Sequence, residues 1–153
     1  MIEIKETRKC DIKTPGFDPN SITEEIVEKE TLDHIAAVRK CSAFFAEKLL
    51  DQTKIHDHTK LGSHLTAFTN ELKNNFKTND WYSMHCKEER HHLQNHVPDD
   101  VNLIDVLEMI FDGVCAGLAR VGSTYEIELP DEVLQKALHN TQKLIEKNII
   151  VKK

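Results

Sequence analysis

The chain has 153 residues, of which 26 are acidic and 20 are basic, so its formal net charge is −6. This length predicts one domain, and the acidic balance argues against extended nucleic-acid binding, because neutralising phosphates takes clustered Lys and Arg. Apolar residues make up 39% of the chain, and none of their runs is long enough for a membrane span. The charged start at residues 1–13 lacks the apolar core of a signal peptide, so we expect a cytoplasmic protein. The unusual feature is nine histidines, as many as all Phe, Tyr and Trp residues together.

The first 20 residues carry no clear secondary-structure signal. Ile2 and Ile4 alternate with charged residues, which predicts either a short strand or an extended arm. Helical spacing begins at Ser21. We therefore predict an N-terminal arm or strand over residues 1–20 and a single all-α domain of five to six helices over residues 21–153.

The first helix is predicted from about residue 23 or 30 to Asp51. Five of its residues recur at spacings of three and four: His34, Val38, Cys41, Phe45 and Leu49. Such spacing predicts one continuous stripe that faces the core. His34 should therefore point inward with its apolar neighbours.

Three more helices are predicted further along the chain, from Leu65 to about residues 74–79, over residues 81–93, and from Pro130 onward. Between the last two of these, residues 101–121 are apolar nearly all round, which is typical of a central, buried helix. Gly122 should end that helix, since glycine readily adopts the left-handed conformation found after a helix C-terminus.

The apolar helix carries three acidic residues on one face, Asp105, Glu108 and Asp112, at spacings of three and four. Buried carboxylates without partners are very costly, so they should meet Lys or Arg, or a cation. The alternative is that this face is simply the exposed side of a half-buried helix.

Histidines are concentrated in the middle of the chain. His56 is followed directly by Asp57, and imidazole together with carboxylate is a common ligand set for transition metals. Helical spacing places His85 and His92 on one face, and His92 and His96 on one face if the helix continues. A His/Asp metal site near the acidic face of the apolar helix is therefore predicted.

In the order of these residues the chain resembles the HD-domain metal-dependent phosphohydrolases, which hold a metal with a His, a His-Asp doublet and a final Asp. The segments HDHTKLG at 56–62, ERHHL at 89–93 and VLEMIFDG at 106–113 are also similar to a small, poorly characterised HD-like family of phages and bacteria. The resemblance covers roughly residues 30–122. It implies an HD-type helical bundle.

Carried over residue by residue, the resemblance implies that His34 is the first metal ligand and that His56 and Asp57 form the doublet. The final ligand would be Asp112, with Asp105 as the competing candidate, because spacing alone does not choose between them. The implied cofactor is one or two divalent ions of Mn, Fe, Co, Ni or Zn.

Two-metal members of the superfamily have additional histidines between the doublet and the final Asp. Here these would come from His85, His91, His92 or His96. The HH segment favours His91 and His92, whereas helical spacing favours His85 and His92. We take His91 and His92 as the further ligands, with His92 common to both arguments.

Three more residues are candidates for catalysis. Glu108, one turn before Asp112, is a candidate proton acceptor for the attacking water. Lys60 and Arg90 are candidates for contact with a substrate phosphate, and the alternative for both is a solvated side chain.

The resemblance implies hydrolysis of a small phosphorylated substrate, a nucleotide or related phosphoester, with no membrane partner and with a homo-oligomer as one arrangement. Two other functions remain open. One is a non-catalytic HD-like binding protein, such as a phage protein acting on a host component. The other is a di-iron oxygenase of the HD type.

Overall fold

The computed structural model describes residues 1–7 and 9–153. It is mostly helical with one small sheet. Its elements, in chain order, are β1 (Ile2–Lys5), α1 (Glu24–Thr53), α2 (Leu65–Lys73), α3 (Asp80–Glu88), α4 (Leu103–Val121), α5 (Asp131–Glu146) and β2 (Ile149–Lys152). Within the described residues, no helix is both long enough and apolar enough to cross a membrane.

The described residues form two compact units, one of residues 1–47 and 143–153 and the other of residues 48–142. These boundaries fall inside α1 and α5. In the first unit, β1 pairs with β2 in parallel, in a register that places Ile2 opposite Ile149. The all-α prediction therefore describes the helices but omits this sheet, which forms from β-branched residues at the two ends of the chain.

The second unit contains the apolar core. Five buried side chains pack together there: Leu93, Val101, Val106, Met109 and Ala137. Two of them lie on α4, as its apolar composition predicts. Asn102 caps the start of α4 by accepting a hydrogen bond from the Ile104 amide, while Asp105 accepts one from the Asn102 amide. Gly122 ends the helix in the left-handed conformation at φ 77°, which confirms its predicted role.

The segment after α4 packs closely against that helix. A Cβ atom at Gly117 would lie 2.5 Å from the Ser123 carbonyl oxygen and 2.7 Å from the Tyr125 nitrogen. A Cβ atom at Gly113 would lie 2.9 Å from the Ile127 side chain. Glycine at both positions therefore brings residues 123–127 against α4.

We expect Gly117→Ala to lower the free energy of unfolding by about 1–3 kcal/mol, because the new methyl group meets backbone atoms that cannot rotate away. Urea denaturation measures the change. The exposed neighbour Ala119, replaced by Ser, serves as the control and should stay within about 0.5 kcal/mol of the wild type. A Gly117→Ala protein as stable as the wild type would contradict the close packing.

One predicted orientation is wrong. No residue of α1 is buried, His34 is exposed, and Val38 is 50% exposed. Cys41, Phe45 and Leu49 are only half-buried. Periodic spacing identifies an apolar face but does not fix how much of it is covered, so the stripe does not bring His34 into a core.

Candidate metal centre

Asp57 lies in the turn after α1 with a left-handed backbone, at φ 58° and ψ 22°. Asp tolerates this conformation better than most residues. Its amide donates to Glu89 Oε2 at 3.1 Å, and its Oδ2 atom accepts from Lys60 Nζ at 2.6 Å. The other carboxylate oxygen, Oδ1, faces His85 Nε2 at 3.6 Å and His91 Nε2 at 3.8 Å.

The histidines around Asp57 come from α3 and the turn that follows it. His85 Nε2 and His92 Nε2 lie 2.7 Å apart, so the predicted proximity of these two residues is confirmed. Its predicted reason is wrong, because α3 ends at Glu88 rather than continuing to residue 93. The backbone of Glu89 is extended, and the chain then turns His91 and His92 back toward His85.

Two overlapping sets of side chains could hold metal ions. One consists of Asp57, His85, His91 and His92, and the other of His56, His91 and Asp112. Within each set, the ligand atoms all lie within 4.8 Å of one another. His91 belongs to both sets, so two ions would be neighbours.

Unpaired atoms distinguish this region from the rest of the described chain. Among the described residues, four buried side-chain nitrogen or oxygen atoms have no hydrogen-bond partner, and three of them lie at this site: Asp57 Oδ1, His91 Nδ1 and His91 Nε2. His91 is 2% exposed, so water cannot reach it freely. Since buried polar atoms are normally paired, three together indicate a missing partner such as an ion.

The distances also suit an ion. Two ligands at about 2.1 Å from a tetrahedral metal lie about 3.4 Å apart. The Asp57–His85 distance of 3.6 Å and the distance of 3.5 Å between His56 Nε2 and Asp112 Oδ1 are close to that value. The 2.7 Å between the Nε2 atoms of His85 and His92 is shorter, and these two rings would have to separate slightly around an ion.

His56 lies among three carboxylates. Its Nδ1 atom lies 2.9 Å from Glu108 Oε1, and its Nε2 atom lies near Asp112 and, at 3.7 Å, near Asp57 Oδ2. Contacts with Asp112 and then Glu108 raise the pKa of His56 to about 10. The same His56 contact lowers the pKa of Asp112. A positive charge at His56 is therefore strongly favoured, as a bound cation would be.

The pKa values of His85 and His92 are shifted the other way. Burial is the main cause for both, and it lowers the pKa of each ring to about 4. Repulsion from a neighbouring positive charge also lowers both pKa values. For His85 the neighbour is His92, for His92 it is His91, and Lys60 acts on both. Both rings are therefore neutral at pH 7, which is the form that binds metals.

These shifts predict acid sensitivity. In the unfolded chain, His85 and His92 have pKa values near 6.5, so they bind protons at a pH at which the folded protein keeps both rings neutral. The free energy of unfolding should therefore fall as the pH drops from 6.5 toward 4. His56 has a raised pKa in the folded protein, so the stability that its charge contributes is fully present below pH 6.5. It therefore does not oppose this trend. Urea denaturation of chelator-treated protein between pH 6.5 and 4.5 measures the slope.

The variant His85→Asn should reduce that slope, by up to about 1.4 kcal/mol per pH unit for the one proton removed. His139→Asn, at an exposed position on α5, should leave it unchanged. Equal slopes in the wild type and His85→Asn would contradict the lowered pKa of His85.

Behind the two metal-ligand sets lies a second layer of charges. Asp105 is fully buried, and Arg90 donates to both of its oxygens, from Nε at 2.7 Å and from Nη2 at 2.8 Å. Gln52 donates to Asp105 Oδ1 at 2.9 Å and to Glu108 Oε2 at 2.6 Å. The predicted burial of the acidic face of α4 is therefore confirmed for Asp105 and Glu108, whereas Asp112 is half-buried.

The guanidinium of Arg90 is bound to carboxylates, and its predicted contact with a substrate phosphate stays a prediction. Its guanidinium also donates to Asp100 Oδ1 at 3.1 Å, so its charge is already matched by two carboxylates. The hydrogen bonds to Asp105 are the main cause of a raised pKa at Arg90. Asp105, in turn, is committed to Arg90 and to the start of α4, so Asp112 is the residue of the two that faces the histidines.

Glu108 lies against His56 at the boundary of the second set. Burial would raise its pKa, but the interactions with His56, His91 and Gln52 outweigh this effect and lower it to about 2. Glu108 is therefore ionised and orients the His56 ring, and its role as a proton acceptor stays a prediction.

The other predicted site residues divide into those that reach the site and those that do not. Lys60 lies at the site through its ion pair with Asp57. His34 is exposed in the first unit and belongs to neither metal-ligand set. His96 is exposed and also lies outside both sets.

Three polar residues that hydrogen-bond to site residues are not predicted from the sequence: Gln52, Thr59 and Glu89. Thr59 and Glu89 are buried, and Gln52 is half-buried. Glu89 lies in the ERHHL segment and Thr59 in HDHTKLG, so their positions beside the histidines were the available signal. Amphipathic spacing gave no signal for Thr59 and Glu89, because both residues lie outside the α-helices.

A protein-family model described as a family of unknown function, DUF5662, matches residues 23–151. The chain belongs to DUF5662. The matched range includes every residue of both metal-ligand sets and the residues that support them. No curated protein and no solved structure matches the chain significantly.

Proposed function

We propose that the protein is a metal-dependent phosphohydrolase of the HD type that acts on a nucleotide or a related small phosphoester. The observation that carries the proposal is the group of unpaired, buried ligand atoms on Asp57 and His91 at the overlap of two His/Asp sets. The order of the residues along the chain, from His56-Asp57 to Asp112, supports the HD assignment.

The donor set fits a transition metal better than Mg²⁺ alone. Imidazole nitrogen is a common ligand for Mn, Fe, Co, Ni and Zn, whereas Mg²⁺ prefers oxygen. When bound, such an ion lowers the pKa of a coordinated water and neutralises charge on the phosphoryl group. Both sets offer at least one imidazole and one carboxylate.

The chain itself contributes orientation and charge. Glu108 holds the His56 ring through Nδ1, which leaves Nε2 facing Asp112. Lys60 places its ammonium group 2.6 Å from Asp57 Oδ2 at the edge of the first set. There it can also neutralise a phosphoryl oxygen of the substrate, since its three donors are not confined to one partner.

Two cavities of about 220 Å³ each adjoin the site and share Asp112. One is lined by His91 and His92 together with Tyr82 and Tyr125, and the other by His56 and Phe111. Their size suits a small substrate. The charged residues that line the first cavity are Asp112 and Glu126, both acidic, so a substrate with further phosphates is disfavoured there and a monophosphate is favoured.

The direct test is hydrolysis by protein loaded with Mn²⁺, Co²⁺ or Ni²⁺ after chelator treatment. The substrates are p-nitrophenyl phosphate, bis-p-nitrophenyl phosphate, and nucleoside mono- and triphosphates. Metal-dependent release of phosphate, greatest for a monophosphate, supports the proposal. If an ion binds and none of these substrates turns over, the non-catalytic binding protein or the di-iron oxygenase becomes the better hypothesis.

We expect Lys60→Met to lower kcat/KM by about 100-fold, because it removes a positive charge from the place where phosphoryl charge develops. Steady-state kinetics on the best substrate of the panel measures the effect. Lys54→Met is the matched control, since Lys54 lies on the same turn but forms its ion pair with the exposed Asp51. Unchanged kcat/KM in Lys60→Met would remove Lys60 from the catalytic site.

A further inference from the structure

The buried residues Glu89 and Thr59 connect the backbone of the His-Asp turn to His85. Glu89 is 4% exposed and accepts hydrogen bonds from the Asp57 amide, the Thr59 amide and the Thr59 hydroxyl. His58 Nδ1 also lies 3.0 Å from Glu89 Oε1. All these contacts use Glu89 as an acceptor, which is the role of an ionised carboxylate.

The Thr59 hydroxyl has a single proton, and its direction can be assigned. Thr59 Oγ1 lies 2.7 Å from Glu89 Oε1 and 2.6 Å from His85 Nδ1. Since a carboxylate cannot donate, the hydroxyl proton must go to Glu89. Thr59 Oγ1 can then only accept from His85, so the proton of the His85 ring lies on Nδ1.

A neutral imidazole with its proton on Nδ1 carries a lone pair on Nε2. In His85 that atom faces Asp57 Oδ1 and His92 Nε2. A lone pair and a carboxylate oxygen repel each other unless a positive or donating group lies between them. The ring is therefore oriented as a metal ligand before any ion arrives.

We propose that Glu89 and Thr59 are positioning residues that hold the His85 proton on Nδ1 and so keep Nε2 unprotonated, which is the form that binds a metal ion. The inference rests on the proposed metal centre for its purpose, but the position of the proton is a property of the metal-free protein. His92 is different, because its Nε2 must donate to His85 in the metal-free protein and must lose that proton when an ion binds.

The position of each ring proton is measured by long-range ¹H–¹⁵N correlation NMR on chelator-treated protein at pH 7. We expect the Nδ1–H form for His85 and the Nε2–H form for His92. After addition of Zn²⁺, used as a diamagnetic probe, His85 should keep its form and His92 should change to Nδ1–H. An Nε2–H form of His85 in the metal-free wild type would overturn the proposal.

The variant Thr59→Val removes the hydroxyl and keeps the shape of the side chain, whereas Thr59→Ser keeps the hydroxyl. We expect His85 to lose its fixed Nδ1–H form in Thr59→Val and to keep it in Thr59→Ser, with Zn²⁺ affinity lowered about 10- to 100-fold in Thr59→Val alone. Fluorescence of Trp81, whose Nε1 donates to the Thr59 carbonyl, checks that each variant is folded.

Two further outcomes separate the proposals. If Thr59→Val is folded and retains the Nδ1–H form of His85, Thr59 is not a positioning residue, whatever the metal does. If the wild type shows the expected proton positions but binds no Zn²⁺, Mn²⁺ or Ni²⁺, the metal centre fails while the assignment of the proton stands. If Thr59→Val does not fold, Thr59→Ala, which also removes the hydroxyl, is measured in its place, with the same expected loss of the fixed form.

Discussion

Replacing Asp57 by Asn is expected to remove most of the stabilisation of the protein by Mn²⁺ or Ni²⁺, because only the set of His56, His91 and Asp112 keeps all its ligands. An ion that binds only the folded protein raises its free energy of unfolding by about 4 kcal/mol at a concentration 1,000 times its Kd. Asp57 supplies the carboxylate of the set formed with His85, His91 and His92, so its loss removes the negative ligand. Asn suits the left-handed backbone of this position, which keeps the turn intact.

Thermal and urea denaturation, each with and without the metal, measure this effect. The matched control is Asp51→Asn, because Asp51 is an exposed carboxylate near the end of α1 whose ion pair is with Lys54. Asp51→Asn should respond to the metal as the wild type does. Metal stabilisation of Asp57→Asn equal to that of the wild type would show that the ion binds elsewhere.

Replacing Arg90 by Met is expected to lower the free energy of unfolding by about 3–5 kcal/mol. The loss arises because Asp105 is fully buried and would lose the two hydrogen bonds and the positive charge that Arg90 supplies. The double variant Arg90→Met with Asp105→Asn should recover part of the loss, since it no longer buries an uncompensated charge. Urea denaturation of the metal-free proteins measures each value.

The control for Arg90 is Arg120→Met, at an exposed position near the end of α4, which should change the stability by less than about 0.5 kcal/mol. The result also decides between the two roles considered for Arg90. A variant with unchanged stability but an increased KM for a phosphoester would favour the predicted phosphate contact over the ion pair with Asp105.

Local patterns predicted the helices and part of the site. The apolar run before Gly122 predicted the buried helix α4, and the three acidic residues on it are turned toward partners, as the cost of burying charge requires. The sequence predicts His56, Asp57, His91, His92 and Asp112 as ligands, and each belongs to at least one of the two metal-ligand sets.

The rest could not be predicted because it depends on turns. His85 comes close to His92 only because the chain leaves α3 at Glu89, and a helical continuation would have been equally consistent with the spacing. The roles of Glu89 and Thr59 depend on hydrogen bonds between segments 30 residues apart. Likewise, the position of Arg90 next to two histidines in the sequence suggests a phosphate contact. Only the structure shows that its guanidinium binds Asp105.

His34 illustrates a different limit. Its spacing with apolar residues on α1 and its order before the His-Asp doublet both suggested a ligand, yet the side chain is exposed. The order of residues along the chain does not fix the distance between their side chains. Without His34, the two sets still offer seven ligand positions from six residues, because His91 is shared.

The most direct test of the metal centre is anomalous X-ray diffraction from crystals of the protein loaded with Mn²⁺ or Ni²⁺. We expect an anomalous peak about 2.1 Å from Asp57 Oδ1 and from nitrogen atoms of His85, His91 and His92, with a second peak beside His56 and Asp112 if two ions bind. Crystals that hold the metal at saturating concentration but show no peak at either set would contradict it.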